Sequence, residues 1–500
     1  MAMVRFTRFA ALLAMALAVA GCGAKNQSSS TVPEGADFAP ASSVVYLTAV
    51  TDPSSDQWQK IDALLGKFPG RAKLTASFKK DLAKDGLTWE GDFKPALGDE
   101  VDLVLLSYKD ADHNYVFFTK PKDEAKFNKV LESGGPQDRQ VHTKIDGWTV
   151  FADNQKSLDN FAAAHSAGNS LSDDDTFKDA MAGLPDDSVV RGYLPGKGIA
   201  AAIEREAASD PDAQSFKQVT DSLGKLRYVS FSSAAEDEGV AFNAAFETDQ
   251  EVKTSTYDAE LDGTLPAGAL FYVSFGNLQQ AFDQGLDSAS KESPEFRQQL
   301  AQIQQALGFT IKDDVAPIFS KEGALAVYGG GDTPDVLLAL RTDDEAKATK
   351  LINRLAAFAS LAGISVKPLS VGGAQGKAFD YPDEDLTINT VVGDGKVLVS
   401  NSRARLADAL GDGKKLSDDE VYKEALDASS APGETSGFVY VNLKQALPWI
   451  FGLAGSMSES DSPEAIPPDV RANVKPLQSA LLYSKQDGTR TTVSGFLTIK

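Results

Sequence analysis

The sequence predicts an α+β protein with two tandem homologous domains, each a mostly antiparallel sheet with helices packed on one face. The first observation is a repeat, because Gly86–Pro95 (GLTWEGDFKP) returns as Gly308–Pro317 (GFTIKDDVAP) with Gly, Thr, Asp and Pro identical. The second is that three more blocks recur in the same order. They pair Pro40–Leu47 with Pro266–Val273, Asp123–Lys126 with Asp344–Lys347, and Leu171–Ala180 with Leu416–Ala425. The third is that strands follow one another through loops too short for crossovers.

The N-terminus carries the pattern of a lipoprotein signal peptide over residues 1–21. Arg5 and Arg8 precede the short apolar stretch Phe9–Ala20, and small residues lead to Cys22, the chain's one cysteine. This pattern resembles the bacterial lipobox, in which the cysteine is lipidated and becomes the mature N-terminus. Cys22 is therefore the predicted lipid-attachment site, and the protein is expected outside the cytoplasm, anchored to the cell membrane. An ordinary signal peptide with an incidental cysteine is the alternative.

The predicted elements then follow in order. Residues 22–37 read as a flexible tether, 38–250 as the first domain, 251–264 as a linker and 265–500 as the second domain. The first domain is expected to contain a strand at 40–47, helices at 58–68 and 74–82, strands at 101–107 and 115–119, a helix at 123–131, a strand pair around 146–147, a helix at 157–164, a helix from 171, a strand at 189–194, a helix at 199–223 and a hairpin at 226–246.

The second domain repeats this order with one insertion and ends in a hairpin. The spacing between matching blocks lengthens after the Asp344 block, which places the insertion near the Gly-rich, loop-like stretch 361–376. The closing hairpin is expected at 481–499, with its turn at Asp487-Gly488. In the repeated corner, Gly86 is placed to end a helix and Pro95 to precede a strand, so we interpret this stretch as a structural joint used twice.

Composition excludes some classes of partner. The formal net charge of −22 and the lack of a basic stripe disfavour nucleic acid, because phosphate backbones repel an acidic body. The same charge should hold the body away from anionic headgroups. One cysteine permits no internal disulfide and no cysteine-based zinc site within a chain.

A resemblance to a known family indicates where the protein is located but not how it works. Its residues are Pro40–Leu47, then Asp52-Pro53 and Gln57-Trp58, then Lys94–Gly98. They resemble bacterial, actinobacterial-type membrane-anchored and lipoprotein sequences catalogued only as a domain of unknown function. The resemblance covers most of the mature chain, implies an envelope location and brings no catalytic or ligand residues.

The acidic segments of the chain are interpreted structurally. Ser172 with Asp175, and Ser417 with Glu420, have the spacing of a capping box, which is preferred here to a calcium site. Asp110–Asn114 begins like a calcium loop but lacks the required Gly and Glu, so it is expected to be a solvated hairpin loop.

Other candidate motifs are also given structural readings. The three histidines, His113, His142 and His165, show no metal-ligand spacing. Gly329–Gly331 is expected to be a hairpin turn between strands. We therefore predict no catalytic, cofactor-binding or metal-binding residue, and a non-enzymatic protein, although scattered catalytic groups would leave no motif. The apolar run Leu447–Leu453 reads as a core helix end, with a lipid- or partner-facing patch as the alternative.

Two functions remain open. The first is a membrane-tethered binding or scaffolding protein that engages an envelope component. The second is a carrier whose sheets enclose a lipid or another apolar ligand. A specific co-purifying lipid would favour the carrier, whereas capture of a polypeptide by an empty protein would favour the scaffold.

Overall fold

The structure is a computed structural model that describes residues 32–133, 139–209, 225–251, 256–308, 310–331, 333–456 and 466–500. The predicted signal peptide and Cys22 lie outside these residues. The chain forms two compact units. The first unit comprises Met1–Lys253, Pro467–Leu477 and Asp487–Lys500, and the second comprises Thr254–Ile466 and Gln478–Gln486.

The strands and helices of the described residues are as follows. The strands are β1 Val45–Val50, β2 Glu100–Leu105, β3 Tyr115–Thr119, β4 Val141–Ile145, β5 Trp148–Ala152, β6 Val190–Pro195, β7 Leu226–Glu236, β8 Gly239–Thr248, β9 Tyr257–Asp258, β10 Phe271–Gly276, β11 Glu322–Tyr328, β12 Asp335–Arg341, β13 Ser365–Val371, β14 Ala374–Tyr381, β15 Leu386–Gly393, β16 Lys396–Ser400, β17 Glu434–Thr435, β18 Gly437–Val441, β19 Leu477–Asp487 and β20 Arg490–Ile499. The helices are α1 Gly35–Phe38, α2 Asp56–Gly66, α3 Arg71–Lys84, α4 Lys94–Ala96, α5 Glu124–Glu132, α6 Gln155–His165, α7 Asp175–Ala182, α8 Gly196–Ser209, α9 Leu278–Glu292, α10 Pro294–Leu307, α11 Glu345–Leu361, α12 Arg403–Leu410, α13 Glu420–Ser429, α14 Leu443–Ser456 and α15 Pro468–Val474.

Each unit contains an antiparallel sheet, which confirms the predicted α+β class. In the first unit the strand order is β4–β5–β3–β2–β1–β6–β7–β8–β20. In the second unit it is β13–β14–β15–β16–β12–β11–β10–β18–β19. The order β5–β3–β2–β1–β6–β7 therefore has a counterpart in β16–β12–β11–β10–β18–β19. The duplication itself stays an interpretation of the sequence repeats.

Helices pack on both faces of the first sheet, so the expectation of one covered face is wrong there. Every residue of β5 is buried, as are four consecutive residues of β3. Phe117 belongs to the cluster that contains Ile61 and Phe127 of α2 and α5, whereas Phe118 belongs to the cluster that contains Phe161 of α6. Strands apolar on both faces require a helical cover on each.

The repeated corner has the same structure in both units. Gly86 and Gly308 both adopt positive φ values, 71° and 65°. A single wide helical turn follows each, at Trp89–Phe93 and Ile311–Val315. The threonine amide donates to an aspartate, at 2.8 Å from Thr88 to Asp92 and 2.9 Å from Thr310 to Asp314. These hydrogen bonds and the left-handed glycines confirm the interpretation of a structural joint.

The predicted tether and linker both contain ordered structure. Gly35–Phe38 forms α1, whose Gly35 amide donates to Glu100 at 2.9 Å. In the second unit the Leu261 amide donates to Glu322 at 2.9 Å in the same way. Residues 32–37 and 257–263 are therefore parts of the two folds and not connectors. Each is held by a glutamate, the half-buried Glu100 of β2 or the buried Glu322 of β11, which accepts hydrogen bonds from backbone amides of the segment.

The insertion in the second unit is a hairpin rather than a loop. β13 and β14 pair over seven residue pairs, and Gly372 and Gly373 form their turn with positive φ. Because β14 also pairs with β15, the insertion extends the sheet beyond the strand that corresponds to β4. Helix α11 has 17 residues, whereas its counterpart α5 has nine.

The last segments of the chain are divided between the two units. Asp487–Lys500 lies in the first unit, so the predicted second domain at 265–500 is wrong in this part. β20 pairs with β8 from Arg490 opposite Glu247 to Thr498 opposite Gly239. Arg490 also donates to Glu247 at 3.0 Å and to Asp179 at 3.2 Å. The sequence predicts that this segment is the second arm of the closing hairpin, but it does not indicate the pairing with β8.

The acidic runs cap helices, but through residues other than those predicted. The side chain of Asp174 accepts from the Thr176 and Phe177 amides at the start of α7. Asp419 accepts from the Val421 and Tyr422 amides at the start of α13. Ser172 and Ser417 instead lie within short 3-10 turns, so each N-cap lies two residues later than predicted. The prediction that these acidic runs cap helices is confirmed, but the capping residues are Asp174 and Asp419 and not the predicted serines.

A buried carboxyl pair lies beneath α1. Asp102 is fully buried and its Oδ1 accepts from the Tyr46 hydroxyl at 2.7 Å. A Cβ on Gly35 would lie 2.3 Å from the Asp102 Cγ, so this close approach requires glycine. Burial raises the pKa of Asp102 well above its usual range, and the charge of Glu100 raises it further.

Asp102→Asn should stabilise the first unit at neutral pH. The folded state holds the Asp102 proton at pH values where the unfolded chain releases it, because the folded pKa is raised. The stability that protonated Asp102 contributes is fully present below the ordinary carboxyl pKa, and it is lost as pH rises towards the pKa that Asp102 has in the folded state. Urea unfolding at rising pH should show a growing advantage of the variant over the wild type. An exposed control, Asp237→Asn, should not alter the profile, and a pH-independent loss in Asp102→Asn would contradict the assignment.

Candidate functional site

The candidate site is an apolar pocket of about 570 Å³ in the first unit. One wall comes from α2, the segment that leads to α3, and the first turn of α3. Its side chains are Trp58, Ile61, Leu64, Leu65, Phe68 and Leu74. Five of these are the apolar residues that the sequence places on one helical face. The helix therefore has more apolar surface than the sheet beneath it covers.

The opposite wall comes from strands and from the C-terminal part of the chain. Val240 of β8, Leu477 of β19, and Leu497 and Ile499 of β20 contribute apolar side chains. Ile61, Leu64, Val240 and Ile499 are buried in the core cluster, whereas Trp58, Leu65, Phe68, Leu477 and Leu497 are partly buried and pack against it. The pocket is thus a gap at the edge of the core rather than a separate cleft.

Hydrogen bonds fix the position of α2. The Trp58 Nε1 donates to the Val50 carbonyl at 2.8 Å. Gln57 is buried, and its Oε1 accepts from the Ala235 amide at 2.7 Å. Ser55 caps the helix by accepting from the Trp58 amide. Because these bonds attach α2 to β1 and β7, the pocket wall is held rigid.

The rim of the pocket is polar. Gly70 donates its amide to the Asn473 Oδ1 at 2.6 Å. The Lys67 amine donates to the Ile499 carbonyl at 2.6 Å, and Arg71 pairs with Asp62. Arg71 is the one charged side chain in the pocket lining. A pocket with apolar walls and a few polar groups at its mouth can bind an apolar group and orient a polar end, and its volume is within the usual range for ligand sites.

The other predicted positions lie apart from this pocket. Asp110–Asn114 forms an exposed turn between β2 and β3, which confirms the hairpin-loop interpretation. The Nδ1 of His113 lies 2.6 Å from Asp110, and the Nε2 of His165 lies 3.0 Å from Asp146. Gly329–Gly331 lies between the antiparallel strands β11 and β12, which confirms a hairpin turn.

The apolar run Leu447–Leu453 lies within α14, which contains Pro448. Its Trp449 donates to the Gly331 carbonyl at 3.2 Å, whereas Ile450 is 48% exposed. One side of the run is therefore packed and the other faces solvent. The acidic stretch that follows it in the sequence, residues 457–463, lies outside the described residues.

The described residues contain neither a metal-binding cluster nor a helix suited to cross a membrane. No group of three or more His, Cys, Asp or Glu side chains in the ranges given above is arranged to hold a metal ion. No helix in those ranges combines the length and apolar composition needed to cross a membrane.

Comparison with known proteins identifies the family. The family described as a protein of unknown function, DUF3352, matches residues 7–492 of the chain. The protein belongs to the DUF3352 family. This confirms the part of the resemblance that concerned a domain of unknown function. No curated protein matches this DUF3352 member.

Solved structures of a protein named TP0453 share limited similarity with this DUF3352 protein. Crystal form IV is 12% identical with a TM-score of 0.24, and covers 49% of this chain and 94% of that chain. Crystal form III is 10% identical with a TM-score of 0.24, and covers 47% and 93%. Crystal form I is 11% identical with a TM-score of 0.21, and covers 45% and 80%. Scores of this size support no inference about the present chain.

The sequence revealed only one wall of the pocket. The apolar face of α2 was visible from its periodicity, but Leu497 and Ile499 were assigned to the other domain. The available signal was the surplus of apolar residues on α2 and α3, since a strand pair alone rarely covers so wide a stripe. The signal does not show which segment forms the second wall.

Proposed function

We propose that the protein is a non-enzymatic extracytoplasmic lipoprotein that is tethered by lipidated Cys22 and binds the apolar part of a lipid or a similar ligand in the first-unit pocket. The observation that carries this proposal is the pocket itself, with about 570 Å³ of space between walls of apolar side chains. Burying apolar ligand surface there is favourable by about 25 cal/mol per Å².

The position of the pocket supports this proposal. α2 is attached to the sheet through Trp58 and Gln57, so the walls cannot collapse inward without breaking buried hydrogen bonds. The charged rim, with Arg71 and Lys67, would remain near the polar end of an amphiphilic ligand. A tether at Cys22 would keep such a binding site close to the membrane in which apolar ligands reside.

A scaffolding role is the second candidate. It is favoured by the solvent-facing side of α14, where Ile450 is 48% exposed on a helix that otherwise consists mostly of apolar residues. An exposed apolar side chain on a rigid helix can contribute to a protein interface. Replacing Ile450 by Ser should then abolish capture of an envelope polypeptide and leave binding of an apolar ligand unchanged.

Filling the pocket should abolish binding of an apolar ligand. Leu65→Trp adds a ring at the partly buried edge of the lining, where it occupies ligand space without entering the core. A fluorescent fatty acid titrated into residues 32–500 should bind the wild type saturably and the variant at least about tenfold more weakly, since roughly 1.4 kcal/mol of lost burial has that effect. The control Leu278→Trp, on exposed α9, should bind as the wild type does. Equal binding by all three proteins would reject the pocket as the site.

A further inference from the structure

A half-buried to exposed stripe on α11 combines positive charge with large apolar side chains. It consists of Lys347, Lys350, Arg354, Phe358 and Leu361, which recur at three- and four-residue intervals and therefore share one helix face. The basic residues occupy the N-terminal half and the apolar residues the C-terminal half. Over about 21 Å of helix, the surface changes from cationic to apolar.

The apolar end of this stripe is not needed by the core. Leu361 is 88% exposed and Phe358 is 45% exposed. The opposite side of α11 supplies the buried core residues Ala348, Ile352, Ala356 and Ala359. Beside Phe358, a second apolar gap of about 370 Å³ lies between α11 and strands β14 and β15. A helix with one buried face and an exposed apolar end offers that end to something other than its own sheet.

The charge of this region is opposite to that of the chain. Residues 345–381 contain five basic and two acidic residues, whereas the chain has a formal net charge of −22. The Lys347 amine donates to the Asp313 carbonyl at 2.5 Å, and Asp314 and Asp344 line the cleft beside it. Within the described ranges, Lys350 and Arg354 have no acidic partner at ion-pair distance. Their charges are therefore available to an external anion.

The region is also an addition to the common fold. In the first unit the corresponding helix α5 ends at Glu132, and the described residues between it and β4, which exclude 134–138, contain no strands that correspond to β13 and β14. The first unit completes its sheet without them, so the fold does not require the longer helix. Its surface must be explained by what it contacts.

We propose that the α11 stripe docks onto a bilayer that contains anionic phospholipid. With the C-terminal end of α11 tilted towards the bilayer, Lys350 and Arg354 would lie at the headgroup level, and Phe358 and Leu361 would enter the boundary with the acyl chains. The charge complementarity selects an anionic lipid surface over a neutral one, and it gives an otherwise acidic body one face that can approach the membrane. This docking is independent of the first-unit pocket and of lipidation at Cys22.

The test uses residues 32–500, which contain every described contact and lack the predicted signal and anchor. Flotation with phosphatidylcholine vesicles and with phosphatidylcholine–phosphatidylglycerol vesicles should show binding to the anionic vesicles only, and salt should weaken it. Lys350→Glu with Arg354→Glu should reduce binding by roughly 30-fold or more, since each cation near the surface contributes about fivefold. Phe358→Ser with Leu361→Ser should reduce it by roughly tenfold or more.

The matched control is Lys79→Glu with Lys80→Glu on α3, which makes the same charge change on an exposed helix of the first unit. The control should bind anionic vesicles as the wild type does. Equal binding to both vesicle types, no binding to either, or equal losses in the α11 variants and the control would each overturn the proposal. Thermal unfolding of every variant separates lost binding from lost folding.

Discussion

A chain that ends at Gln486 should lose the folded first unit. Truncation removes β20, which pairs with β8 over nine residue pairs and buries Phe496 and Ile499. Deleting two large core side chains costs on the order of 5–10 kcal/mol, which is comparable with the whole stability of a domain. We expect the backbone amides of β7 and β8 in a protein of residues 32–486 to exchange hydrogen without protection.

Arg490→Ala provides a graded control for this truncation. It keeps β20 but leaves the buried Glu247 carboxylate without its 3.0 Å donor, which should cost about 2 kcal/mol in urea unfolding of the first unit. If truncation leaves the β8 amides protected from exchange and destabilises only the second unit, the predicted second domain at 265–500 is right. The assignment of Asp487–Lys500 to the first unit is then wrong.

Cys22→Ser should release most of the protein from the membrane fraction. Each acyl methylene buried in a bilayer contributes about 0.8 kcal/mol, so the loss of two or three chains removes the main source of attachment. The measurement is cell fractionation of wild type and variant, with the mass of the N-terminal peptide as the direct readout of lipidation.

Docking through α11 would leave a small part of the Cys22→Ser variant on the membrane. A high-salt wash separates the two contributions, because screening weakens the cationic contact and leaves the acyl anchor intact. Retention of Cys22→Ser that resists this wash would contradict the anchor.

The local part of the fold was predictable because its signals are local. Gly86 and Gly308 require a left-handed backbone, and both adopt it. The apolar spacing of α2 indicates a helix and its buried face. The hairpin loops at Asp110–Asn114 and Gly329–Gly331 follow from polar or glycine-rich segments between strands.

The remainder depends on pairings between distant segments. A β-strand sequence does not identify all the strands beside it, so nothing in Arg490–Ile499 indicates the pairing with β8. Helix α1 has four residues, too few for a periodic signal, and it forms because Glu100 accepts its amide. Predicting the first-unit pocket requires the pairing of β20 with β8 together with the periodicity of α2.

Native mass spectrometry of residues 32–500, gently purified from membrane-containing cells, tests the proposed ligand-binding function most directly. We expect one bound lipid or similar apolar molecule per chain in the wild type, none in Leu65→Trp, and one in Leu278→Trp. A wild-type protein that is always empty, yet captures a specific envelope polypeptide through the Ile450 surface, would contradict a carrier and support a scaffold.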